Sequence, residues 1–230
     1  MSASLNQKNP IAKRTINNFF ILAERDSGTN YMTRLMTSFF GLNITWEYGP
    51  KHFFGWVDER IKASQNTLFV CMVRNPYDWL SALFKTKHHV PFQMKTFDKF
   101  LLSEWYSIHH EEFSDKQGQE RLDDRYWKDN TRHKNIFQMR QRKLLYLKET
   151  VPTLTKNYHY IRYEDLCKNT SAVMIELSEK FQIPIVNSHL EKSLVKSPYR
   201  IRKEYKEIID KNIDWDTECL FGYYRNQRRF

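Results

Sequence analysis

A polar stretch with a single glycine, residues 24–30 (ERDSGTN), offers several groups that can hold an anion. It follows the apolar run 18–23 (NFFILA), which is typical of a buried strand, and it precedes residues 31–40, whose apolar side chains recur at helical spacing. Free backbone N–H groups and the positive end of the helix dipole make such a helix start a good phosphate site. The pattern therefore predicts a phosphate-binding loop, to which Ser27 and Thr29 add hydroxyl groups. The alternative is an ordinary glycine turn capped by one of these two residues.

An arginine stands where a second predicted strand ends. The run 67–73 (TLFVCMV) is continuously apolar, as expected for a strand buried on both faces, and Arg74 follows it. Pro76 then marks the first turn of a helix. A guanidinium group offers a bidentate fork to a phosphate, and ligands of parallel sheets bind at strand ends. We therefore predict that Arg74 binds a phosphate; the alternative is a surface ion pair, for example with Asp78.

A histidine between the second and third predicted strands is a candidate base. His52 lies in residues 49–54 (GPKHFF), next to Lys51. An imidazole with a pKa of about 6.5 can accept a proton at neutral pH. His52 is therefore a candidate catalytic residue, the alternative being a loop histidine without a role. His88 and His89 follow the next predicted helix and are candidates for the side of the site that would hold a second substrate.

These groups need a scaffold that brings strand ends together. Predicted strands alternate with predicted helices, which favours an α/β fold with a mainly parallel central sheet flanked by helices. Residues 18–230 are predicted to form one such domain, and residues 1–17 a flexible basic leader. The predicted strands are 18–23, 42–47, 67–73 and 158–162, and the predicted helices are 31–40, one from Pro76 onward, 135–150 and 171–181.

The composition excludes several classes of protein. The 230 residues include 37 lysines and arginines against 27 acidic residues, and the net charge of +10 indicates an anionic partner. No run approaches the ~18 apolar residues of a membrane span, and the polar start lacks the apolar core of a signal peptide. Three cysteines without a CxxC pair argue against a disulfide framework or a zinc site. We expect a cytoplasmic protein without a membrane span or a bound metal.

The glycines narrow the choice of nucleotide-binding motifs. None of the six stands in GxG spacing and none is followed by lysine, so the dinucleotide fingerprint and the usual Walker A ending are both absent. A P-loop kinase or NTPase would need that lysine and a carboxylate for Mg²⁺, which makes it the runner-up. A nucleic-acid binder is compatible with the charge and the 15% aromatic content, although no module motif supports it.

Three segments, 24–31 (ERDSGTNY), 73–81 (VRNPYDWLS) and 160–166 (YIRYEDL), stand in an order and spacing that resemble the sulfotransferases using 3′-phosphoadenosine 5′-phosphosulfate (PAPS). The resemblance covers about residues 18–225. It implies a P-loop-like fold, PAPS as co-substrate without a metal, and transfer of a sulfuryl group to a hydroxyl or amine acceptor. It also implies that the first loop cradles the 5′-phosphosulfate and that Arg74 binds the 3′-phosphate.

The resemblance implies a cofactor site, and it shows where this chain departs from the family. The family has a serine eight positions after the strand-end arginine; here that position is Ala82, and Ser81 stands one before it. Residues 200–203 (RIRK) resemble the family's late basic loop that closes over the 3′-phosphate, but Glu204 replaces the glycine that usually follows; the alternative is a solvated basic helix face. Tyr31 and Tyr163 are implied neighbours of the adenine, the alternative being the core. The implied cofactor residues are Arg25, Asp26, Ser27, Gly28, Thr29, Asn30, Tyr31, Arg74, Ser81, Tyr163, Arg200, Arg202 and Lys203.

Sulfuryl transfer is an in-line displacement that needs a base at the acceptor and a cation or donor at the leaving oxygen. His52 resembles the family's catalytic histidine, although the threonine that precedes it in relatives is missing here. Asp26 stands where many relatives have the lysine that stabilises the leaving phosphate. We expect Arg25 or Lys51 to replace that lysine. Without a replacement, turnover would fall by roughly 10²–10³, and a degenerate homologue that binds the nucleotide without catalysis is a further alternative.

The acceptor is the least defined part of this prediction. Residues 85–134 are expected to build its side of the site, and sugar, lipid, phenol, peptide and amine acceptors stay open, with carbohydrate as one candidate. Arg140 and Lys143 lie one turn apart on the predicted helix 135–150. They are expected on a solvated helix face, the alternative being contact with an anionic acceptor. The expected partners are PAPS, its product and an unidentified acceptor, and no nucleic acid.

Overall fold

The computed structural model describes residues 15–111, 114–188 and 201–225 as one α/β domain. Its centre is a four-stranded sheet in the order β2-β1-β3-β4, in which every neighbouring pair is parallel. The strands are β1 Asn18–Ala23, β2 Asn43–Ile44, β3 Thr67–Val73 and β4 Tyr158–Arg162. The predicted α/β class and parallel sheet are confirmed. Most of the predicted leader, and Arg200 of the implied cofactor residues, lie outside the described residues.

Helices cover both faces of the sheet. The helices are α1 Thr29–Phe40, α2 Asp58–Ala63, α3 Pro76–Thr86, α4 Phe97–Leu102, α5 Ile136–Leu145, α6 Val151–Leu154, α7 Tyr163–Lys168, α8 Thr170–Phe181, α9 Lys203–Asn212 and α10 Trp215–Cys219. A π-helical turn, Tyr146–Thr150, joins α5 to α6, so the predicted helix 135–150 continues into α6. Within the described ranges, no helix has the length and apolar character that crossing a membrane requires.

The central strands are apolar throughout because both of their faces are covered. All seven residues of β3 are buried. In β1, Phe19 and Ile21 pack on the side of α1 and α8, whereas Phe20 and Leu22 pack on the opposite side with Tyr146. The alternation follows from the two-residue period of a strand. Burial on both faces explains why β1 and β3, which precede two of the predicted site loops, are recognisable in the sequence as continuous apolar runs.

The predicted strand 42–47 is shorter than expected, because only Asn43–Ile44 pairs as β2. The Thr45 N–H still donates to the Phe19 carbonyl at 3.0 Å, but the chain then turns, and the Gly49 N–H donates to the Trp46 carbonyl at 3.1 Å. The Trp46 side chain is 58% exposed. The second half of the predicted strand therefore belongs to a surface turn.

The register of the sheet brings three site loops to one edge. Ala23 at the end of β1 pairs with Met72, and Val73 at the end of β3 pairs with Arg162 at the end of β4. The segments that follow these strands therefore leave the sheet side by side. The helix after β3 is started by Asn75, whose side chain accepts a hydrogen bond from the Tyr77 N–H at 3.1 Å.

Two basic residues of α5 are buried, so the predicted solvated face is wrong. Arg140 and Lys143 are each only 2% exposed. Both guanidinium ends of Arg140 bind the Glu218 carboxylate, and its Nη2 also donates to the Arg74 carbonyl at 2.9 Å. A buried charge is tolerated when it is paired and hydrogen-bonded. The partner comes from the far end of the chain, which is why the spacing along one helix could not reveal it.

Candidate functional site

A cavity of about 510 Å³ opens at the edge where β1, β3 and β4 end. The loop after β1, the first residue after β3 and the first residue after β4 all contribute to its wall. Two further segments, the loop after β2 and the end of α3, complete it. The lining residues are Asp26, Gly28, Thr29, Asn30, Tyr31, Lys51, His52, Arg74, Thr86, His88 and Tyr163. Most of the residues singled out in the sequence are thus brought together.

The predicted phosphate loop presents donors at the start of α1. Gly28 adopts φ 86° and ψ 15°, in the left-handed region, directly before the first helical residue. Within the described residues, the N–H groups of Ser27, Gly28, Thr29 and Asn30 donate to no backbone or side-chain acceptor; the first helical bond is that from Met32 to the Gly28 carbonyl, at 3.1 Å. Unpaired N–H groups at a helix start, together with the dipole, form a seat for an anion.

Arg74 is held rigidly in the same wall. The residue is 7% exposed, and its Nη1 donates to the Asp26 carbonyl at 2.7 Å. Its guanidinium carbon lies 4.5 Å from the centre of the Tyr163 ring, a stacking arrangement that fixes the plane of the group. The Nε atom is buried and has no acceptor within the described part of the chain. Because Arg74 lines the cavity, its fixed guanidinium charge lies beside any anionic group that enters there.

Tyr163 and Tyr31, the two implied adenine neighbours, both line the cavity. Tyr163 lies over Gly28: a Cβ atom added to the glycine would come within 2.5 Å of the Tyr163 Cδ2 atom. Burial raises the pKa of the Tyr163 hydroxyl to about 12, so the ring stays uncharged. The Tyr31 hydroxyl shares a hydrogen bond of 3.2 Å with Thr170 at the start of α8.

The hydrogen bonds of His52 define its tautomer. Its Nδ1 lies 2.8 Å from the Ala23 carbonyl, an oxygen that can only accept, so Nδ1 carries the proton. The lone pair is therefore on Nε2, which has no hydrogen-bond partner within the described residues. Burial and the nearby positive charges of Lys51, Arg25 and Lys143 hold the pKa of His52 well below its ordinary value, although the bond to Ala23 opposes them. His52 is therefore neutral at pH 7, with an unprotonated Nε2.

Lys51 connects the loop after β2 to the phosphate loop. Its Nζ donates to the Asn30 Oδ1 at 2.6 Å, and its carbonyl accepts from the Ala23 N–H at 3.1 Å. Burial lowers the pKa of the Lys51 ammonium from its ordinary value. Lys51 is the lysine of the cavity wall, and it stands beside the start of α1.

Asp26 turns its carboxylate towards the end of α3. Thr86 donates from Oγ1 to the Asp26 Oδ2 at 2.7 Å, and both residues line the cavity. Sequence reasoning missed Thr86, because nothing local links residues sixty positions apart. The φ of Asp26 is 59°, a left-handed conformation that aspartate and asparagine adopt more readily than most residues. The carboxylate is therefore positioned by the backbone on one side and by Thr86 on the other.

Arg25 does not reach the cavity, which corrects its prediction as a leaving-group cation and nucleotide ligand. Its side chain is fully buried: Nη1 donates to the Ser107 Oγ at 2.7 Å, and Nη2 lies 3.4 Å from the Asp124 Oδ2. The guanidinium therefore points into the protein. The side chain of Ser27 is also buried, at 1% exposure, and its Oγ has no partner within the described residues; Ser27 does not line the cavity.

Three other implied cofactor residues that the structure describes, Ser81, Arg202 and Lys203, lie apart from the cavity. Ser81 and Arg202 line a separate cavity of about 440 Å³ with Phe84 and Phe97, and the Ser81 Oγ donates back to the Tyr77 carbonyl at 2.8 Å. One position along a helix turns a side chain by about 100°, which explains this placement. Arg202 and Lys203 are both mostly exposed, and Lys203 pairs at 3.9 Å with Glu207 on the solvent side of α9.

The two histidines after α3 have different surroundings. His88 is exposed and lines the cavity, with its ring centre 6.5 Å from that of His52. His89 is buried, and its Nδ1 lies 2.8 Å from the Ile108 carbonyl; burial lowers its pKa to about 4. His88 therefore belongs to the rim of the site, whereas His89 supports the neighbouring loop. In the described ranges, no cluster of three or more His, Cys, Asp or Glu side chains is arranged to hold a metal ion.

A scan against known protein families found no match to this chain, and a search of curated proteins found none either.

The contact between Gly28 and Tyr163 predicts a specific cost of substitution. Gly49 also adopts φ 86°, but a Cβ added there meets no atom within 4 Å. Both Gly28→Ala and Gly49→Ala pay the left-handed strain, of about 1–2 kcal/mol. Only Gly28→Ala also collides with a ring, which should cost about 1–3 kcal/mol more. Urea unfolding of both variants measures the difference.

The same pair in a Tyr163→Ala background is the control. Without the ring, Gly28→Ala and Gly49→Ala should lower the free energy of unfolding by the same amount. Equal costs in the wild-type background would contradict the packing of Tyr163 on the phosphate loop.

Proposed function

We propose that this protein is a PAPS-dependent sulfotransferase with a P-loop-like fold, which moves a sulfuryl group from PAPS to a hydroxyl or amine acceptor. The observation that carries the proposal is one cavity that holds an anion seat, a rigidly held arginine and a neutral histidine. The strand, loop and helix that form the seat have the arrangement typical of P-loop-like folds. The three free cysteines fit a reducing, cytoplasmic setting.

The seat at the start of α1 suits the 5′-phosphosulfate. The N–H groups of residues 28–30, which line the cavity, and the helix dipole meet negative charge without a metal. Arg74 suits the 3′-phosphate, because its guanidinium group lines the cavity and is held in place by the Asp26 carbonyl and the Tyr163 ring. The cavity wall contains no lysine from residues 24–30, the place where a kinase of this kind of fold would carry one. These features favour a bisphosphorylated nucleotide over ATP.

In the proposed reaction, the acceptor oxygen or nitrogen attacks the sulfur of PAPS in line with the bridging phosphate oxygen. A bond from the acceptor to sulfur forms, and the bond from sulfur to the bridging oxygen breaks with its electron pair on that oxygen. The acceptor proton passes to the His52 Nε2. Lys51, beside Asn30, is the cation placed to stabilise the oxygen that leaves. The products are the sulfated acceptor and 3′-phosphoadenosine 5′-phosphate.

The nucleotide preference is the first test. Isothermal titration should show tighter binding of 3′-phosphoadenosine 5′-phosphate than of ADP. Arg74→Ala should reduce this preference about 10- to 100-fold, since a charge-assisted hydrogen bond is worth about 1.5–3 kcal/mol. Binding of ADP should hardly change. Lys62→Ala, which removes one exposed positive charge on α2, should leave the preference intact. Equal wild-type affinities for the two nucleotides would contradict the second phosphate site.

Loss of the proposed base should slow transfer without weakening nucleotide binding. His52→Ala should lower the single-turnover rate about 10²–10⁴-fold, measured as sulfuryl transfer or as PAPS hydrolysis in the absence of an acceptor. His109→Ala, at a half-buried histidine paired with Glu111 away from the cavity, is the control. Because the pKa of His52 is depressed, the base form persists below pH 6.5, and the wild-type rate should fall only as the pH drops through that lowered pKa. An unchanged rate in His52→Ala would remove His52 from the reaction.

The charges proposed to act on the leaving oxygen, those of Lys51 and Asp26, can be tested separately. Lys51→Met should lower the single-turnover rate about 10²–10³-fold, the usual effect of losing one electrostatic donor. Asp26→Lys should raise the rate, because it replaces a repelling carboxylate by a cation. Asp26→Asn removes the charge but keeps a residue that tolerates a left-handed backbone, and should raise the rate less.

A slower Asp26→Asn enzyme would show that the carboxylate assists the reaction. Tight nucleotide binding without turnover, in the wild type and in every variant, would indicate a degenerate homologue.

A further inference from the structure

A buried ammonium group lies directly beneath the candidate base. Lys143 on α5 is 2% exposed. Its Nζ donates to the His52 carbonyl at 2.8 Å and to the Asp124 Oδ1 at 2.5 Å, and it lies 3.2 Å from the Glu24 Oε1. An ammonium has three N–H donors. Two of the three thus form hydrogen bonds, and the Glu24 carboxylate adds an ion pair without hydrogen-bond geometry; the three oxygens belong to different segments of the chain.

Asp124 anchors this ammonium from the far side. Besides Lys143, its carboxylate accepts from the Ser107 hydroxyl and lies 3.4 Å from the Arg25 Nη2. Burial opposes the ionisation of Asp124, but Lys143 and Arg25 outweigh it and lower the pKa of the carboxyl to about 2. The carboxylate is therefore charged at every pH at which the protein would work, and it fixes Lys143 in place.

His52 is consequently held from two sides. The Ala23 carbonyl binds its ring at Nδ1, and the Lys143 ammonium binds its own backbone carbonyl. Loss of the second bond would free the backbone of residue 52 to rotate. The position of the His52 Nε2 atom would then no longer be fixed. A displacement of 1 Å is enough to cost about 10²-fold in rate.

We propose that Lys143 is the positioning residue for His52. It fixes the backbone at residue 52, in the loop after β2, so that the imidazole keeps its proton on Nδ1 and its lone pair on Nε2. The inference rests on the proposed function for its catalytic meaning. Its structural content, one fixed tautomer that depends on a buried ammonium, can be measured without any transfer activity.

Lys143 also acts on His52 through its charge. The charged and titratable groups around the imidazole are Lys51 on its own loop, Arg25 after β1, Lys143 on α5 and the His88 ring after α3. The positive charge of Lys143 disfavours the protonated imidazole. Its removal should therefore raise the pKa of His52 towards the ordinary value, and the acid limb of the rate profile should move to higher pH.

The test removes one positive and one negative charge together, so that no unpaired charge stays buried. In Glu24→Gln/Lys143→Met, the pair Arg25 and Asp124 remains balanced. The matched control is Arg140→Met/Glu218→Gln, which removes another buried ion pair one turn earlier on α5 without touching His52. Single Glu24→Gln retains the bond from Lys143 to the His52 carbonyl.

Three measurements are made on each variant: ¹⁵N chemical shifts of the His52 ring nitrogens across pH, nucleotide affinity by titration calorimetry, and single-turnover rate. We expect the Glu24→Gln/Lys143→Met variant to show mixed tautomers, a raised His52 pKa and a rate about 10²-fold lower, with nucleotide affinity within a few-fold. Glu24→Gln and the Arg140→Met/Glu218→Gln variant should both keep the Nδ1–H tautomer, whatever their loss of stability.

An unchanged tautomer and pKa in the Glu24→Gln/Lys143→Met variant would overturn the proposal, as would the same tautomer change in the Arg140→Met/Glu218→Gln control. These outcomes are independent of sulfuryl transfer. If the wild type transfers no sulfuryl group but the tautomer still depends on Lys143, the proposed function fails while the positioning role stands.

Discussion

Two positive and two negative side chains are buried together beneath the end of β1, and the site above depends on their mutual neutralisation. They are Glu24, Arg25, Asp124 and Lys143, none more than 5% exposed. Burial of an isolated charge costs several kcal/mol, so each of the four needs an oppositely charged neighbour there. The four residues come from the end of β1, from the loop before α5 and from α5 itself. Their ion pairs therefore fix the phosphate loop and the loop that carries His52 relative to each other.

A second buried ion pair, between Arg140 and Glu218, fixes the backbone at the end of β3, the strand beside β1. Arg140 binds Glu218 with both ends of its guanidinium, lies 4.7 Å from the Trp79 ring and donates to the Arg74 carbonyl at 2.9 Å. The backbone from which Arg74 projects is therefore fixed before any ligand arrives. Hydrogen-bond donors that are already oriented lose little entropy when an anion binds, and this is the physical advantage of a site built on charge pairs under strand ends.

The elements that depend only on residues near each other along the chain could be predicted from the sequence. The strand, loop and helix around Gly28, and the strand that ends at Arg74, follow from apolar runs, one glycine and one proline. The roles of Arg25 and Lys143 could not be predicted, because a charged residue is expected at the surface unless its partner is known. Here the partner of both is Asp124, which is 99 positions from Arg25. Long-range pairing of charges leaves no periodic signal in a single sequence.

At Asp26, two requirements oppose each other: the backbone conformation of the loop favours aspartate, whereas the leaving oxygen of the proposed reaction needs a positive charge. The loop needs a left-handed residue at this position, and aspartate tolerates that conformation better than lysine does. Thr86 then binds one carboxylate oxygen at 2.7 Å and draws the charge towards the end of α3. In the proposed reaction, the positive charge for the leaving oxygen has to come from another segment. Lys51, already bonded to Asn30 at the helix start, is placed to supply it, so that a loop that favours aspartate for its shape need not supply the cation itself.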